Sequence, residues 1–189
     1  MGSRAADCRE RHRLRRGTAA RRSSGAVTEP STAAGLLARL RLRGWSVAVA
    51  ESLTGGLVVS SLVGVPGASA SLRGGVVAYD TAIKQSVLGV DAALLGQHGP
   101  VHPEVARQMA EGVRRALSVA GRSADVGIAT TGIAGPESPD GQPVGTVHVG
   151  IATPDRSSVA SFLFDGDRAR IREAACEAAL RAALDAISE

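Results

Sequence analysis

The chain of 189 residues carries a formal net charge of +4, is 44% hydrophobic and contains only 2% aromatic residues. This length suits one well-packed domain, and the shortage of aromatic residues predicts a core of small aliphatic side chains in close layers. The sequence contains no apolar run of the roughly 18 residues that a membrane-spanning helix requires, and none with the pattern of a signal peptide. We therefore predict a cytoplasmic protein that has no membrane partner.

Residues 1–28 differ in composition from the rest of the chain. They contain eight arginines against two acidic residues, Asp7 and Glu10, and they lack aromatic residues and any apolar period. Such a basic segment can bind nucleic acid or anionic lipid, but the pattern is more typical of a disordered extension. We predict an arginine-rich extension at 1–28 and one domain at 29–189, with nucleic acid as a partner only through the extension.

Hydrophobic periodicity and turn residues divide the domain into alternating helices and strands. In chain order they predict a helix from Ser31 to Gly44, a strand at 46–50, a turn at 51–56, a helix at 57–63, a buried strand at 74–79, short helices at 82–88 and 92–98, a helix from His102 to near Gly121, a strand at 125–131, an irregular segment at 132–145, a hairpin of 146–152 and 159–164, and a helix from Asp167 to about Ile187. This order is that of an α/β protein. We predict a single-domain, three-layer α/β/α sandwich around a mixed sheet.

The turn at 51–56 follows a strand and opens a helix. Free N–H groups at such a helix start can bind a phosphate or stabilise an oxyanion, so Ser52 is a candidate nucleophile with Thr54, Gly55 and Gly56 around its anion site. The alternative is that Ser52 or Thr54 only caps the helix and the glycines only permit close packing. The turn alone favours this second interpretation.

Lys84 shifts that balance, because it is the only lysine among 22 Lys and Arg residues. Arginine stays protonated in proteins, whereas a lysine removed from water can lose its charge and serve as a base. Tyr79, the only tyrosine, lies five positions earlier and could hold or relay the proton. A serine activated by a lysine is a known alternative to the Ser-His-Asp triad, although a chance placement of single residues explains the pattern equally well.

Tyr79 to Lys84 forms a second polar turn after a strand-like run, and the turn at 131–136, which also follows a predicted strand, is a third. Its backbone could surround an anion, which makes Thr131, Gly132, Ala134 and Gly135 candidate binding residues, although the segment matches neither a P-loop nor a dinucleotide fingerprint. Because the carboxyl ends of neighbouring parallel strands converge in α/β folds, we expect this turn to meet Ser52 and Lys84 in one cleft. Arg168 could reach a phosphate there or form only a surface pair near the cap.

The cysteines and histidines show no spacing of metal ligands. Cys8 and Cys176 stand at opposite ends of the chain, which favours two free thiols. His148 lies on a predicted strand, where a hydrogen-bonded core histidine is more common than a ligand. We therefore expect no metal.

Eight short segments in one order give the domain a specific resemblance that extends over residues 31–188. It resembles the C-terminal domain of the competence and damage-inducible protein CinA, a family whose stand-alone members include nicotinamide mononucleotide amidases. The segments are AESLTGG at 50–56, VPGAS at 65–69, GGVVAY at 74–79, Lys84, LGV at 88–90, TGIAGP at 131–136, VGTV at 144–147 and GDR at 166–168.

The resemblance implies an α/β/α fold and cofactor-free hydrolysis of the carboxamide of nicotinamide mononucleotide to nicotinate mononucleotide and ammonia. It implies Ser52 as nucleophile, Lys84 as base and Tyr79 as proton partner, with Arg168 and the turn at 131–136 contacting substrate. The family often has cysteine at the position of Leu53, so the pocket wall differs here.

Two other functions stay open at this point. The domain could be a nucleotide-binding module without catalysis, because membership of a family does not prove turnover. It could also be a competence or DNA-damage protein that acts through its basic extension. A homo-oligomer is compatible with every one of these functions.

Overall fold

The computed structural model describes residues 31–138 and 141–188. The predicted extension at 1–28 and Cys8 lie outside the described residues, so both predictions about them stay untested. Within the described residues, no helix has the length and apolar character needed to cross a membrane.

Helices and strands alternate along the chain much as periodicity predicts. They are α1 (Thr32–Arg43), β1 (Val47–Glu51), α2 (Leu57–Val63), β2 (Leu72–Val77), α3 (Thr81–Ser86), α4 (Ala92–His98), α5 (Pro103–Ala116), β3 (Val126–Gly132), β4 (Thr146–Ala152), β5 (Ser157–Leu163) and α6 (Arg168–Ala186), with a short 3₁₀ turn at Ala68–Ala70.

The helix ends follow from local chemistry. The side chain of Ser31 accepts a hydrogen bond from Ala34 N at the start of α1, and Gly44 ends that helix in the left-handed conformation that suits glycine. Asp167 caps α6 through the N–H of Arg170, as predicted. The helix α5 ends at Ala116, five residues before the predicted stop.

The strands form one five-stranded sheet in the order β2-β1-β3-β4-β5. The first three are parallel, and β4 and β5 continue the sheet as an antiparallel hairpin. Because β1, β2 and β3 run in one direction, the turns that follow them emerge at the same edge of the sheet. The prediction of a buried strand at 74–79 is wrong: β2 is an edge strand, and Val77 at its end is 49% exposed.

Helices cover both faces of this sheet. One core cluster joins Val47 and Val49 of β1 to α1, α2 and α6, and the other joins Ala48 and Ala50 of the same strand to α5 and the segment after α3. The alternation of side chains along a strand thus sends valines to one layer and alanines to the other. The predicted α/β/α sandwich around a mixed sheet is confirmed.

Glycines allow α5 to lie unusually close to its neighbours. A Cβ added at Gly127 of β3 would come within 2.0 Å of the carbonyl oxygen of Ala110, and one at Gly150 of β4 within 2.2 Å of that of Ala106. On α5 itself, a Cβ at Gly112 would lie 1.8 Å from the carbonyl oxygen of Leu88. The close layers expected from the composition therefore depend on residues without side chains.

Replacing Gly112 by alanine should lower the free energy of unfolding by about 2–3 kcal/mol, because α5 and the segment after α3 must separate to admit the methyl group. Gly96→Ala in α4 is the matched control, because a methyl group at that position would meet nothing within 4 Å. That change should raise stability by up to about 1 kcal/mol through helix propensity. Urea denaturation of both variants measures the difference, and equal stabilities would contradict the packing argument.

Candidate active site

Ser52 is the first residue after β1. Its N–H continues the ladder by donating to the carbonyl of Thr130 at 3.0 Å, so the backbone is still strand-like at this point. Side chains alternate along a strand, and Glu51 points toward α2 and donor groups there. Ser52 consequently points toward the layer of α3.

Lys84 of α3 lies opposite that serine. Its side chain is only 1% exposed. Its Nζ lies 3.2 Å from Ser52 Oγ and donates a hydrogen bond of 2.6 Å to the carbonyl of Ala78. The hydrogen bond to Ala78 fixes the amine beside the hydroxyl.

Burial lowers the pKa of Lys84 from its ordinary 10.5 to about 8, and the nearby charge of Asp80 opposes this change only in part. Desolvation penalises the ammonium form because water stabilises a charge better than the protein interior does. The neutral amine is therefore present in a substantial fraction near pH 8. A neutral lysine within reach of a serine hydroxyl can take its proton.

Both side chains line a cavity of about 240 Å³ at the carboxyl edge of the parallel strands. The expected meeting of three separate turns in one cleft is thereby confirmed for most of the candidate residues. The cavity is lined by Ser52, Leu53, Tyr79, Lys84, Pro100, Val101, Thr131, Gly132, Ile133, Ala134, Gly135, Glu137 and Arg168.

Arg168 and Tyr79 form one side of this cavity. The Arg168 guanidinium donates to the carbonyl of Gly135 at 2.9 Å and to the hydroxyl of Tyr79 at 3.1 Å. Tyr79 is 64% exposed, and its hydroxyl is bonded to Arg168 rather than to Lys84 or Ser52. The arrangement places a cation, rather than only a surface pair, at the mouth of the cavity.

Thr131 holds the wall of the cavity in place. Its hydroxyl donates to the carbonyl of Pro100 at 2.7 Å, which ties the end of β3 to the segment between α4 and α5. Because the Thr131 hydroxyl donates in this contact, its oxygen can still accept a hydrogen bond from a ligand. On strand β4, the buried His148 bonds to Ser161 Oγ at 2.8 Å, as expected of a core histidine.

Thr54, Gly55 and Gly56, the other predicted binding residues, do not line the cavity. Gly56 N–H donates to the Glu51 carboxylate and Gly55 N–H to the carbonyl of Ser52. Thr54 is buried, and its hydroxyl is 2.7 Å from that of Thr130. The prediction of an anion-binding site at the start of α2 is wrong, because the carboxylate of Glu51 already accepts hydrogen bonds from the N–H groups there.

Sequence reasoning missed two residues that shape this turn. Glu51 is fully buried and accepts hydrogen bonds from the N–H groups of Gly56, Val58 and Val59. Arg172 of α6 donates to the carbonyl oxygens of the two residues that follow Ser52. The spacing of four residues between Arg168 and Arg172, which puts them on one face of a helix, was the available signal.

A larger cavity of about 570 Å³ lies between α5 and the turn joining β4 and β5. Two of its charged side chains, Arg107 and Glu111, form an ion pair, and Arg107 also contacts Glu104 outside the cavity lining. Across residues 31–138 and 141–188, no group of three or more His, Cys, Asp or Glu side chains is placed to hold a metal ion. The expectation of no metal stays a prediction.

The fold and the cavity together define a small α/β protein with a serine and a lysine in contact at the end of parallel strands. A model of the CinA C-terminal domain family matches residues 29–187. The chain belongs to this family.

Relatives support the same assignment. A CinA-like protein of Frankia casuarinae is 46% identical over 167 residues, which are 86% of this chain and 37% of that protein. One from Anaeromyxobacter sp. strain Fw109-5 is 52% identical over 147 residues, which are 77% of this chain and 34% of that protein. The chain thus spans about a third of the length of the curated relatives it matches.

Solved structures of similar proteins share the fold. A CinA superfamily protein of Klebsiella pneumoniae 700603 superposes with a TM-score of 0.77 at 31% identity, covering 83% of this chain and 96% of its own. The competence/damage inducible protein CihA of Agrobacterium tumefaciens gives a TM-score of 0.74 at 32% identity, covering 84% of this chain and 94% of its own.

The contact between Ser52 and Lys84 predicts a pH-dependent nucleophile. Acetylation of Ser52 by p-nitrophenyl acetate should accelerate about tenfold per pH unit below pH 8 and level off above it, because only neutral Lys84 accepts the proton. Release of p-nitrophenolate gives the rate, and peptide mass spectrometry locates the acetyl group. Lys84→Arg, which stays protonated, should reduce labelling to background. A rate independent of pH between about 6 and 10 would contradict this role.

Proposed function

We propose that the domain is an amidohydrolase that converts nicotinamide mononucleotide to nicotinate mononucleotide and ammonia. The observation that carries the proposal is the 3.2 Å contact between Ser52 Oγ and a buried Lys84 Nζ inside a cavity. Membership of the CinA C-terminal domain family supports it. The choice of this amide comes from the resemblance to the stand-alone amidases of that family.

The first half of the reaction forms an ester. Neutral Lys84 takes the proton of Ser52 while Oγ attacks the carboxamide carbon, and the carbonyl oxygen becomes an oxyanion. The Lys84 ammonium then gives its proton to the amide nitrogen as the C–N bond breaks. Ammonia leaves, and an acyl ester on Ser52 remains.

The second half reverses these roles with water. Lys84 takes a proton from a water molecule that attacks the ester carbon, and then returns it to Ser52 Oγ as the acid departs. The hydrogen bond from Nζ to the carbonyl of Ala78 keeps the amine in place through both halves. Proton transfers and bond changes balance without a metal ion or an organic cofactor.

Arg168 supplies a cation for the phosphate of the substrate. A guanidinium makes strong charge-assisted hydrogen bonds with phosphate oxygens. Arg168 is already held in place by Gly135 and Tyr79, so little conformational freedom is lost on binding. Tyr79 then acts next to the phosphate through its hydrogen bond to Arg168, and the phosphate positions the ring against Ser52.

Ser52→Ala should reduce ammonia release from nicotinamide mononucleotide by at least about a thousandfold, because it removes the attacking oxygen. Ser60→Ala is the matched control: Ser60 is an exposed serine of α2, eight positions along the chain. Its activity should equal that of the wild type. A coupled glutamate dehydrogenase assay measures ammonia, and equal background release from wild type and Ser52→Ala would end the amidase proposal.

Arg168→Gln should lower kcat/KM for nicotinamide mononucleotide by about 10- to 100-fold, because a charge-assisted contact with phosphate is lost. For nicotinamide riboside, which lacks the phosphate, the same variant should change kcat/KM much less. Arg170→Gln, an exposed neighbour on α6, serves as the control. Equal losses on both substrates would show that Arg168 does not bind the phosphate.

A further inference from the structure

Amide hydrolysis on Ser52 requires hydrogen-bond donors for the oxyanion. The N–H groups of Gly55 and Gly56 are excluded, because each already donates within the turn. From Ser52 to Val59, the N–H groups of Leu53 and Thr54 have no acceptor among the described residues. Leu53 lines the cavity, whereas Thr54 does not.

The direction of the Leu53 N–H follows from the turn itself. It shares a peptide plane with the carbonyl of Ser52, which accepts a 3.2 Å hydrogen bond from Gly55 N–H inside the turn. In a trans peptide the N–H points opposite to the carbonyl. The Leu53 N–H therefore points out of the turn, on the residue that follows the nucleophile.

Arg172 fixes the remaining peptide planes. Its Nε donates to the carbonyl of Leu53 and its Nη2 to that of Thr54, each at 2.9 Å. The Thr54 carbonyl shares a plane with the Gly55 N–H that holds the Ser52 carbonyl. A chain of hydrogen bonds thus runs from the guanidinium to the peptide carrying the Leu53 N–H, and each bond polarises the next.

Gly55 makes room for this contact. Its φ is +57°, and a Cβ there would lie 3.3 Å from Arg172 Nη2. The planar guanidinium can bond both carbonyls at once, which the single ammonium of a lysine does less well. The arginine and the glycine together hold the turn in one conformation.

We propose that the Leu53 N–H is an oxyanion donor for the Ser52 reaction and that Arg172 is the positioning residue that holds it. This inference rests on the proposed amidohydrolase function for its substrate. It also applies to acetylation of Ser52 by p-nitrophenyl acetate, because ester attack passes through the same kind of oxyanion. Failure of the inference and failure of the substrate assignment can therefore be separated.

The direct test removes the N–H without changing any side chain. Nonsense suppression can replace Leu53 by its α-hydroxy acid, which keeps the side chain and converts the amide to an ester. We expect kcat for ammonia release and the rate of Ser52 acetylation to fall by about a hundredfold or more, with KM within about threefold of wild type. The same replacement at Leu42, which is 82% exposed on α1, should leave both rates unchanged.

The second test addresses Arg172. Arg172→Ala should lower both rates at least about tenfold, Arg172→Lys less, and added ethylguanidinium should restore part of the rate to the alanine variant. The aldehyde analogue of the substrate, pyridine-3-carbaldehyde ribotide, adds to Ser52 as an oxyanion, so its Ki should rise in step with the loss of kcat. Affinity for nicotinate mononucleotide should stay the same. Arg181→Ala, an exposed arginine of the same helix, is the matched control.

These experiments distinguish failure of the inference from failure of the amidase proposal. A Leu53 ester variant that keeps both rates within about threefold of wild type overturns the inference, whatever the substrate. Slow acetylation in that variant supports it, even if wild-type protein releases no ammonia and the amidase proposal fails. An Arg172→Ala variant that loses both rates but keeps its aldehyde Ki overturns the positioning role.

Discussion

The side chain of Glu51 leaves the end of β1 and accepts hydrogen bonds from three N–H groups at the start of α2. The side chain is fully buried, and these donors and the positive end of the helix stabilise it there. Hydrogen bonds to a charged group contribute about 1.5–3 kcal/mol each. The contact closes the turn against α2 and leaves the opposite side of β1 to the next residue, Ser52.

The depth of Lys84 depends on a second constraint. Lys84 lies on the short helix α3, and the backbone carbonyl of Lys84 accepts a hydrogen bond from the N–H of Val90. Val90 belongs to the segment that packs against α5. That packing is possible because Gly112 has no side chain where it meets Leu88. The small residues that dominate the composition therefore help to keep Lys84 buried beside Ser52.

Local pattern predicted most of the fold, since α2, α4 and the β4 strand have the bounds expected from periodicity. It could not show that β2 is an edge strand, because a run of glycine and valine looks the same in the middle of a sheet and at its border. The convergence of Ser52, Lys84 and Thr131 followed from the general rule for parallel strands. The anion site predicted at the start of α2 was wrong because the spacing of residues does not reveal that the N–H groups there donate to Glu51. Arg172 was missed because it lies more than a hundred positions from the turn it holds.

Lys84 is the sole lysine in the sequence. Lysine labelled with ¹³C at the ε carbon would thus mark one position in the whole chain, and that position is the proposed base. A single resonance would report the protonation of the site directly, without mutation or substrate. The same carbon would register the binding of a ligand in the cavity, so the preference of this chain for arginine over lysine provides a spectroscopic probe at the candidate active site.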